Sequence, residues 1–196
     1  PLSGMLTIPL VTALTTDEQK PKISFIDWSI ESIENPKRGA VAIGIGGFPN
    51  ELNERMVERK VASVPIFAYV NAQHPLHQQT ELELSDIENL ETVRVSMGSL
   101  DVSAYYERMR KLTGVNLEQK LTVSSMTAAL DCVKVSPYVF VGMYIDDQDL
   151  PAGICRLPLK LDGTSMLFDV GIQYHRAFYQ HPIIAQVETF IKGALS

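Results

Sequence analysis

The tract from Gly39 to Leu76 constrains the fold of this chain more than any other segment. It opens with an apolar run that ends in glycines, Gly39-Ala-Val-Ala-Ile-Gly-Ile-Gly-Gly-Phe-Pro. A second apolar run, Val64-Pro-Ile-Phe-Ala-Tyr-Val, stops at Asn71-Ala-Gln-His-Pro-Leu. Short continuous apolar runs bounded by glycine and proline are typical of strands covered on both faces. The tract therefore predicts buried strands in the interior of an α/β domain.

Helical and strand patterns alternate along the rest of the chain, which favours an α/β fold with largely parallel sheets. The predicted helices are Gly4–Leu14, Ser29–Asn35, Val102–Thr113 with Gly114 as its C-cap, Ser125–Val135 and Pro182–Ala194, with a short helical turn at Leu84–Ile87. The predicted strands are Lys22–Trp28, Ala40–Ile45, Glu58–Ser63, Pro65–Asn71, Thr92–Met97, Leu117–Val123, Val139–Met143, Gly153–Leu159 and Leu167–Tyr174.

This order of elements indicates two α/β lobes. We expect lobe I to contain residues 1–76 and 167–196 and lobe II to contain residues 77–166, because the last strand and helix return to the first lobe. A double crossover of this kind makes a hinge with a cleft between the lobes.

Composition limits the function classes. The 196 residues are 45% hydrophobic, which is enough for one large domain or two small lobes. A net charge of -6 argues against a nucleic-acid surface, and no apolar stretch is long enough to span a membrane. Cys132 and Cys155 could form one disulfide, but two free thiols in a reducing cytoplasm are favoured. The chain starts in folded-looking sequence at Pro1, which suggests a fragment of a longer protein.

The Gly39–Leu76 tract resembles the effector-binding domain of LysR-type transcriptional regulators. That family commonly reads Gly-x-Leu-Asp-hydrophobic-Ala-Ile-Gly, then an apolar strand and His-Pro-Leu. Ala42 stands where the acidic residue is usual. Weaker matches in the expected order are Leu6–Leu14, Lys20–Phe25, Lys111–Ser125, Asp169–Arg176 and Pro182–Phe190. The Val135–Met143 tract replaces the family's usual Gly-x-Gly-Ile segment and, with Trp28, is similar to the nodulation-regulator-like branch.

The resemblance implies two Rossmann-like lobes of the periplasmic-binding-protein type II kind. It also implies a cytoplasmic domain that senses a small effector, forms homodimers or homotetramers and catalyses nothing, with no cofactor or metal. Promoter DNA would be contacted only through a winged helix-turn-helix that this chain lacks. In the family's subunit pairing, Val102–Leu112 would pack on Met5–Leu14 of the next subunit.

In this family the ligand lies between the lobes at helix N-termini, whose N–H groups and dipoles attract carboxylates, phosphates and carbonyls. The matching candidate ligand-binding residues are Ser3, Gly4, Trp28, Ser29, Gly47, Phe48, Ser96, Met97, Ser125 and Met126. Ser3, Ser29 and Ser125 could instead only cap their own helices. Trp28 could be core, Phe48 and Tyr144 are open between the two roles, and Arg94 is the candidate cation. The effector class expected is a small carboxylate or an aromatic acid.

Other motifs do not support a chemical site. His74 and His77 have metal-ligand spacing only on a helix, and Pro75 between them predicts a surface turn instead. The acidic run from Asp146 to Asp149 lacks the glycine and glutamate of a calcium loop. Gly44-Ile-Gly-Gly is followed by Phe-Pro-Asn, so it is not a dinucleotide fingerprint. No nucleophile elbow occurs, and Cys132 reads as core.

Three rival functions stay open at this point. A periplasmic solute-binding protein shares the bilobed physics and would need an export signal. An enzyme like the porphobilinogen deaminase family would need a basic cleft and a modifiable cysteine. A purely structural oligomerisation domain would bind nothing.

Overall fold

The computed structural model describes residues 10–12, 14, 22–26, 30–96 and 102–195. Residues 10–12 and 14 have helical backbone, and the rest of the predicted helix Gly4–Leu14 lies outside the described residues. Among the described residues, no helix is both long enough and apolar enough to cross a membrane.

Helices and strands alternate in the described part of the chain. The helices are α1 (Ile30–Glu34), α2 (Val102–Thr113), α3 (Met126–Val135) and α4 (Pro182–Ala194). The strands are β1 (Ile43–Gly47), β2 (Met56–Asn71), β3 (Leu82–Glu83), β4 (Glu91–Val95), β5 (Glu118–Val123), β6 (Val139–Met143), β7 (Ile154–Leu161), β8 (Thr164–Ser165) and β9 (Leu167–His175). Short 3-10 helices occur at Pro75–Gln78, Leu84–Ile87 and Arg176–Phe178.

The described residues fall into two compact units. Those up to Val64 and from Phe168 onward form the first unit, and those from Pro65 to Leu167 form the second. The boundary falls inside β2, so this strand contributes to both units.

The first unit contains α4 and a small antiparallel sheet. β1 pairs antiparallel with β9 in a register that joins Ile43 to Tyr174, and β9 also neighbours β2. The apolar side of α4 is formed by Ile184, Val187 and Ile191, whose spacing puts them on one helical face, and all three are buried.

β1 differs from the predicted interior strand Ala40–Ile45. It begins at Ile43, lies at the end of the strand order and alternates between half-buried and buried residues. Among the described pairings, β1 pairs only with β9, and an edge strand is covered less completely than a central one. Because β1 and β9 pair antiparallel, the expectation of largely parallel sheets is wrong for the described part of this unit.

The second unit contains a mixed sheet. β4 lies parallel between β5 and β6, while β2 runs antiparallel to both β6 and β7. α3 covers one face of this sheet with Ala129, Leu130 and Val133, which pack with Tyr69 and other apolar side chains into one core cluster. The mixed α/β class agrees with the prediction, although the parallel pairing is confined to this unit.

Two further predictions need correction. The predicted strand Lys22–Trp28 is not formed over residues 22–26, where Phe25 and Ile26 are 48% and 70% exposed. Apolar alternation alone misled here, because a strand also needs a pairing partner. The predicted strands Glu58–Ser63 and Pro65–Asn71 join into β2, since Pro65 is exposed and the missing N–H interrupts only one ladder position.

Candidate functional site

Two of the candidate serines, Ser96 and Ser125, lie at one edge of the sheet in the second unit. β4 and β5 are parallel neighbours, with Val95 opposite Val123. Ser96 directly follows β4, and its N–H donates to the Val123 carbonyl at 2.7 Å. Ser125 comes two residues after β5. Because the carboxyl ends of parallel strands meet at one sheet edge, Ser96 and Ser125 share that edge, which is the usual location of ligands in open α/β sheets.

Ser125 is the N-cap of α3. Its backbone is extended, and its Oγ accepts the Ala128 N–H at 3.2 Å. The residue is exposed, so the hydroxyl has a remaining lone pair and a proton available to a guest. Met126 is the first residue of α3 and packs against the core cluster of the second unit. This helix start presents N–H groups and a positive dipole end, which suit a negatively charged or carbonyl group.

An aromatic and cationic group lies at the end of β6. Tyr144 directly follows β6, which is parallel to β4, so Tyr144 belongs to the same sheet edge. The Tyr144 ring meets the Phe67 ring edge-on, with centroids 5.8 Å apart. The Arg156 guanidinium carbon lies 4.2 Å from the Tyr144 centroid and 5.3 Å from the Phe67 centroid. These distances are those of cation–π contacts.

Arg156 also has two hydrogen-bonding partners of different kinds. Nη1 donates to the backbone carbonyl of Ile145, and Nη2 forms an ion pair with Asp147 Oδ1 at 3.0 Å. The Arg156 side chain is 18% exposed, whereas the Asp147 side chain is 79% exposed. We call Phe67, Tyr144, Asp147 and Arg156 the arginine cluster.

The described candidates of the first unit, Gly47 and Phe48, lie in a turn held by half-buried polar groups and the buried Gln173. Gly47 ends β1, and its carbonyl accepts the side-chain amides of Asn50 and Gln173. The Glu58 carboxylate accepts the Asn50 N–H at 2.9 Å and the Gln173 Nε2 at 2.9 Å. Gln173 is completely buried. A Cβ at Gly47 would lie 3.0 Å from the Phe168 ring, so the close approach favours glycine.

Phe48 is fixed by the neighbouring strand rather than by a helix. Its N–H donates to the Asp169 carbonyl at 2.9 Å, and the Phe48–Pro49 peptide bond is cis. The Asp169 carboxylate contacts Ser63 Oγ and Lys60 Nζ, each at 2.7 Å. Partial burial would raise the pKa of Asp169, but the hydrogen bonds from Lys60 and Ser63 outweigh it and hold the pKa below its ordinary value.

Among the described candidates, Ser125 and Met126 stand at the start of a helix, α3, as expected. No helix begins at Gly47 or Phe48, so the expectation of a helix start is wrong there. Arg94, the candidate cation, lies half-buried within β4. The candidates that lie outside the described residues are Ser3, Gly4, Trp28, Ser29 and Met97.

The expectation of a surface turn at His74 and His77 needs one correction. His74 is not on a surface turn: its ring is buried, Nδ1 accepts the Leu76 N–H at 3.1 Å, and it caps the 3-10 helix Pro75–Gln78. Burial lowers the pKa of His74, and a hydrogen bond with the Pro137 backbone offsets part of that change. Within the described ranges, no group of three His, Cys, Asp or Glu side chains is placed to hold a metal ion.

The two cysteines are free thiols, as predicted. Cys132 lies on α3 and packs against the core cluster, which confirms the core interpretation.

Sequence patterns missed Arg156, Asp147, Glu58 and Gln173. Arg156 and Gln173 share a readable signal, since each is a lone polar residue inside an apolar strand, in Ile154-Cys-Arg-Leu and Val170-Gly-Ile-Gln-Tyr174. A buried polar side chain needs a partner, so such a residue points to a contact from elsewhere in the chain. The identity of that partner is not readable locally.

An open depression also lies in the first unit, apart from every described candidate residue. It is lined by Glu54, Arg55, His175, Arg176 and Ala177. Its walls are joined by two hydrogen bonds of Arg176, whose backbone N–H donates to the Arg55 carbonyl and whose Nε donates to the Glu54 carbonyl.

Comparison with solved structures shows the same fold in regulators of transcription. Full-length CbnR in complex with its target DNA has a TM-score of 0.72 and 15% identity, over 97% of this chain and 66% of that chain. The effector-binding domain of QuiR with shikimate has a TM-score of 0.73 and 16% identity, over 98% and 90%. The BenM effector-binding domain with benzoate has a TM-score of 0.75 and 16% identity, over 97% and 86%. At these identities the likeness shows the fold, which is periplasmic-binding-protein type II-like.

Sequence comparison gives the family. No curated protein sequence matches significantly. The model of the LysR substrate binding domain matches residues 9–196, and the chain spans about two thirds of the length of the full-length regulators it resembles. The chain belongs to the LysR substrate-binding domain family.

Proposed function

We propose that this chain is the effector-sensing and oligomerisation domain of a cytoplasmic, DNA-binding LysR-type transcriptional regulator. Promoter DNA would be contacted by a part of the protein outside these 196 residues. We also propose that the lobes expected at 1–76 with 167–196 and at 77–166 correspond to the two compact units, with β2 shared between them.

One observation carries the proposal. Ser96 and Ser125 share the carboxyl edge of the parallel strands, and Ser125 opens α3 with its hydroxyl exposed. This arrangement joins hydroxyl groups, backbone N–H groups and a helix dipole at one place, and no nucleophile–base pair accompanies them among the described residues there. Such a place binds a polar small molecule and provides little for catalysis.

A small carboxylate or aromatic acid is the proposed effector class. A helix N-terminus favours a negative charge, and the neighbouring Tyr144 offers a ring surface. The ligands of the related QuiR and BenM domains, shikimate and benzoate, are both carboxylates on a six-membered ring. All ten candidate ligand-binding residues stay predictions: Ser3, Gly4, Trp28, Ser29, Gly47, Phe48, Ser96, Met97, Ser125 and Met126.

The regulatory step follows from differential affinity. An effector that binds one conformation better than another shifts the population towards it by the difference in binding free energy. In a homodimer or homotetramer, that shift would change the spacing of the attached DNA-binding domains. The solute-binding alternative is not favoured, because the matching family is that of LysR-type regulators.

The branch within the family is a finer proposal. The Val135–Met143 tract and Trp28 support placement with the nodulation-regulator-like members. A tree built from complete family sequences tests it, and grouping with another branch would contradict it.

A thermal-shift screen of small carboxylates on the 196-residue chain tests the function. We expect at least one ring carboxylate to raise the melting temperature. Ser125→Tyr should abolish that rise, because the larger side chain fills the space at the start of α3. Ser124→Tyr is the matched control, since Ser124 is the exposed neighbour, and it should keep most of the rise.

Two results would contradict the proposal. One is an absence of stabilisation by every compound. The other is unchanged stabilisation of Ser125→Tyr when circular dichroism shows that the variant is folded.

A further inference from the structure

The arginine cluster holds a guanidinium in a fixed orientation. Cation–π contacts with Tyr144 and Phe67 restrain the position of the Arg156 guanidinium, and the bond to the Ile145 carbonyl holds one of its amino groups. Guanidinium is planar and presents paired donors that match a carboxylate. Its orientation is thus set without the help of Asp147.

Asp147 is the weakly held partner. Its side chain is largely exposed, so solvent screens the ion pair and a small free energy separates it. The loop does not need this side chain for its shape. Asp146 Oδ1 accepts the Gln148 N–H at 2.9 Å, and the Asp146 carbonyl accepts the Asp149 N–H at 3.0 Å. Asp147 can therefore move away while the surrounding loop stays in place.

The cluster lies on the same side of the sheet as the start of α3. Phe67 and Met126 both pack against the core cluster that α3 covers. Tyr144 and Ser125 follow strands on either side of β4. A ligand at the carboxyl edge would thus have the ring surfaces and guanidinium on one side and the α3 N-terminus on the other.

We propose that Arg156 is the receptor for the carboxylate of the effector and that Asp147 is an internal substitute which the ligand displaces. The exchange replaces one carboxylate on the guanidinium by another, so no net charge is desolvated without a partner. It selects ligands that combine a carboxylate with a ring able to stack beside Tyr144 and Phe67. This inference rests on the proposed function, because it names the group that binds at the same edge.

The test uses charged and neutral versions of the same rings. Isothermal titration of the 196-residue chain compares benzoate, cyclohexanecarboxylate and shikimate with their carboxamides. We expect at least one carboxylate to bind and its carboxamide to bind at least tenfold more weakly. Arg156→Gln should weaken the carboxylate about thirtyfold, the size typical of a lost charge-assisted hydrogen bond, and Arg156→Lys should weaken it less.

Asp147→Asn is the sharper variant, because it should improve binding. Removal of the internal competitor should tighten the carboxylate about threefold, in line with a weak exposed ion pair. Asp149→Asn changes the net charge equally two residues away and should leave the dissociation constant within error of the original chain.

Each other outcome overturns part of the inference. If Arg156→Gln and Arg156→Lys are folded and bind the carboxylate as the original chain does, Arg156 is not the receptor, while the proposed function stands. If Asp147→Asn and Asp149→Asn have the same dissociation constant for the carboxylate, the ligand does not displace Asp147. If none of the carboxylates and none of the carboxamides binds, both the inference and the proposed function are contradicted.

Discussion

The two units hold their candidate residues in different ways. In the first unit, the Gly47–Asn50 turn is fastened by Glu58 and the fully buried Gln173. In the second unit, Ser125 is exposed, and Arg156 shares an ion pair with a carboxylate that is 79% exposed. One region depends on part-buried hydrogen bonds around the fully buried Gln173, which are costly to break, and the other on exposed bonds that exchange readily.

This difference separates residues that hold the backbone in place from residues that are available to bind a ligand. A buried network fixes a backbone conformation, because each unsatisfied polar group inside the protein carries a desolvation penalty. Exposed partners can be replaced by a ligand at small cost. We therefore expect substitutions around the Gly47–Asn50 turn to act mainly on stability, and those at Ser125 and Arg156 to act on binding as well.

The largest effect is expected from Glu58→Ala. It removes the acceptor for the Asn50 N–H and leaves the Gln173 amide buried with a lost partner, so unfolding should cost about 3 kcal/mol less. Urea unfolding followed by circular dichroism measures the change. Glu51→Ala removes an exposed carboxylate nearby and should change stability by less than about 0.5 kcal/mol. Equal effects of Glu58→Ala and Glu51→Ala would contradict the stabilising role of the Glu58 hydrogen bonds.

Tyr69→Phe should destabilise the second unit by about 1.5 kcal/mol. The hydroxyl of this completely buried residue donates to the Met143 carbonyl at 2.6 Å, and the substitution removes this hydrogen bond from the interior. The same unfolding experiment measures it. The ring is retained, so the stacked contact with Phe140 is unchanged and isolates the hydrogen bond. A stability equal to that of the original chain would show that the bond is not important.

Ser125→Ala should cost about 1 kcal/mol of stability through the lost N-cap of α3. It should also weaken the binding of any carboxylate identified in the screen, which a cap without a ligand role would not do. Ser124→Ala, at the exposed neighbouring position, should change neither quantity. Loss of stability with unchanged affinity would show that Ser125 only caps α3 and does not bind the ligand.

The smallest expected effect is the change in stability at low pH. Because the pKa of His74 is lowered in the folded state, the unfolded chain binds the proton more readily, and stability falls as the pH drops below about 6.5. The folded pKa of Asp169 is also lowered, so its contribution is present above its ordinary pKa and is lost only as the pH falls below about 4.

The two groups therefore report on different units in different pH ranges. His74→Asn keeps an acceptor for the Leu76 N–H and should flatten the stability profile between pH 7 and 5.5. Asp169→Asn should leave that range unchanged and flatten the profile below pH 4. Urea unfolding at a series of pH values checks both, and a reversed assignment of the two ranges would contradict the pKa directions.

Local signals made several elements predictable. α2 was predicted to the residue, since Gly114 adopts a φ of 73° at its C-terminal end. α4 was equally predictable, because Pro182 starts it and three apolar residues mark its inner face. The Ser125 cap was readable for the same reason: its bond spans only three residues.

Long-range partners account for the failures. Whether a strand lies at the end of the strand order, as β1 does among the described strands, depends on which strands pair with it and not on its own residues. Residues 22–26 alternate like a strand but have no regular structure. Glu58 and Gln173 are far apart in the sequence, and Arg156 meets Phe67 from a different strand, so no local pattern joins them.

Amide chemical-shift mapping tests the central claim most directly. The ¹⁵N-labelled 196-residue chain would be titrated with benzoate, cyclohexanecarboxylate and shikimate. We expect the largest shifts at the amides of Ser96, Ser125 and Ala128 and at the Arg156 Nε. Shifts confined to other places, such as the depression lined by Glu54 and Arg176, would contradict an effector site at the carboxyl edge of β4, β5 and β6.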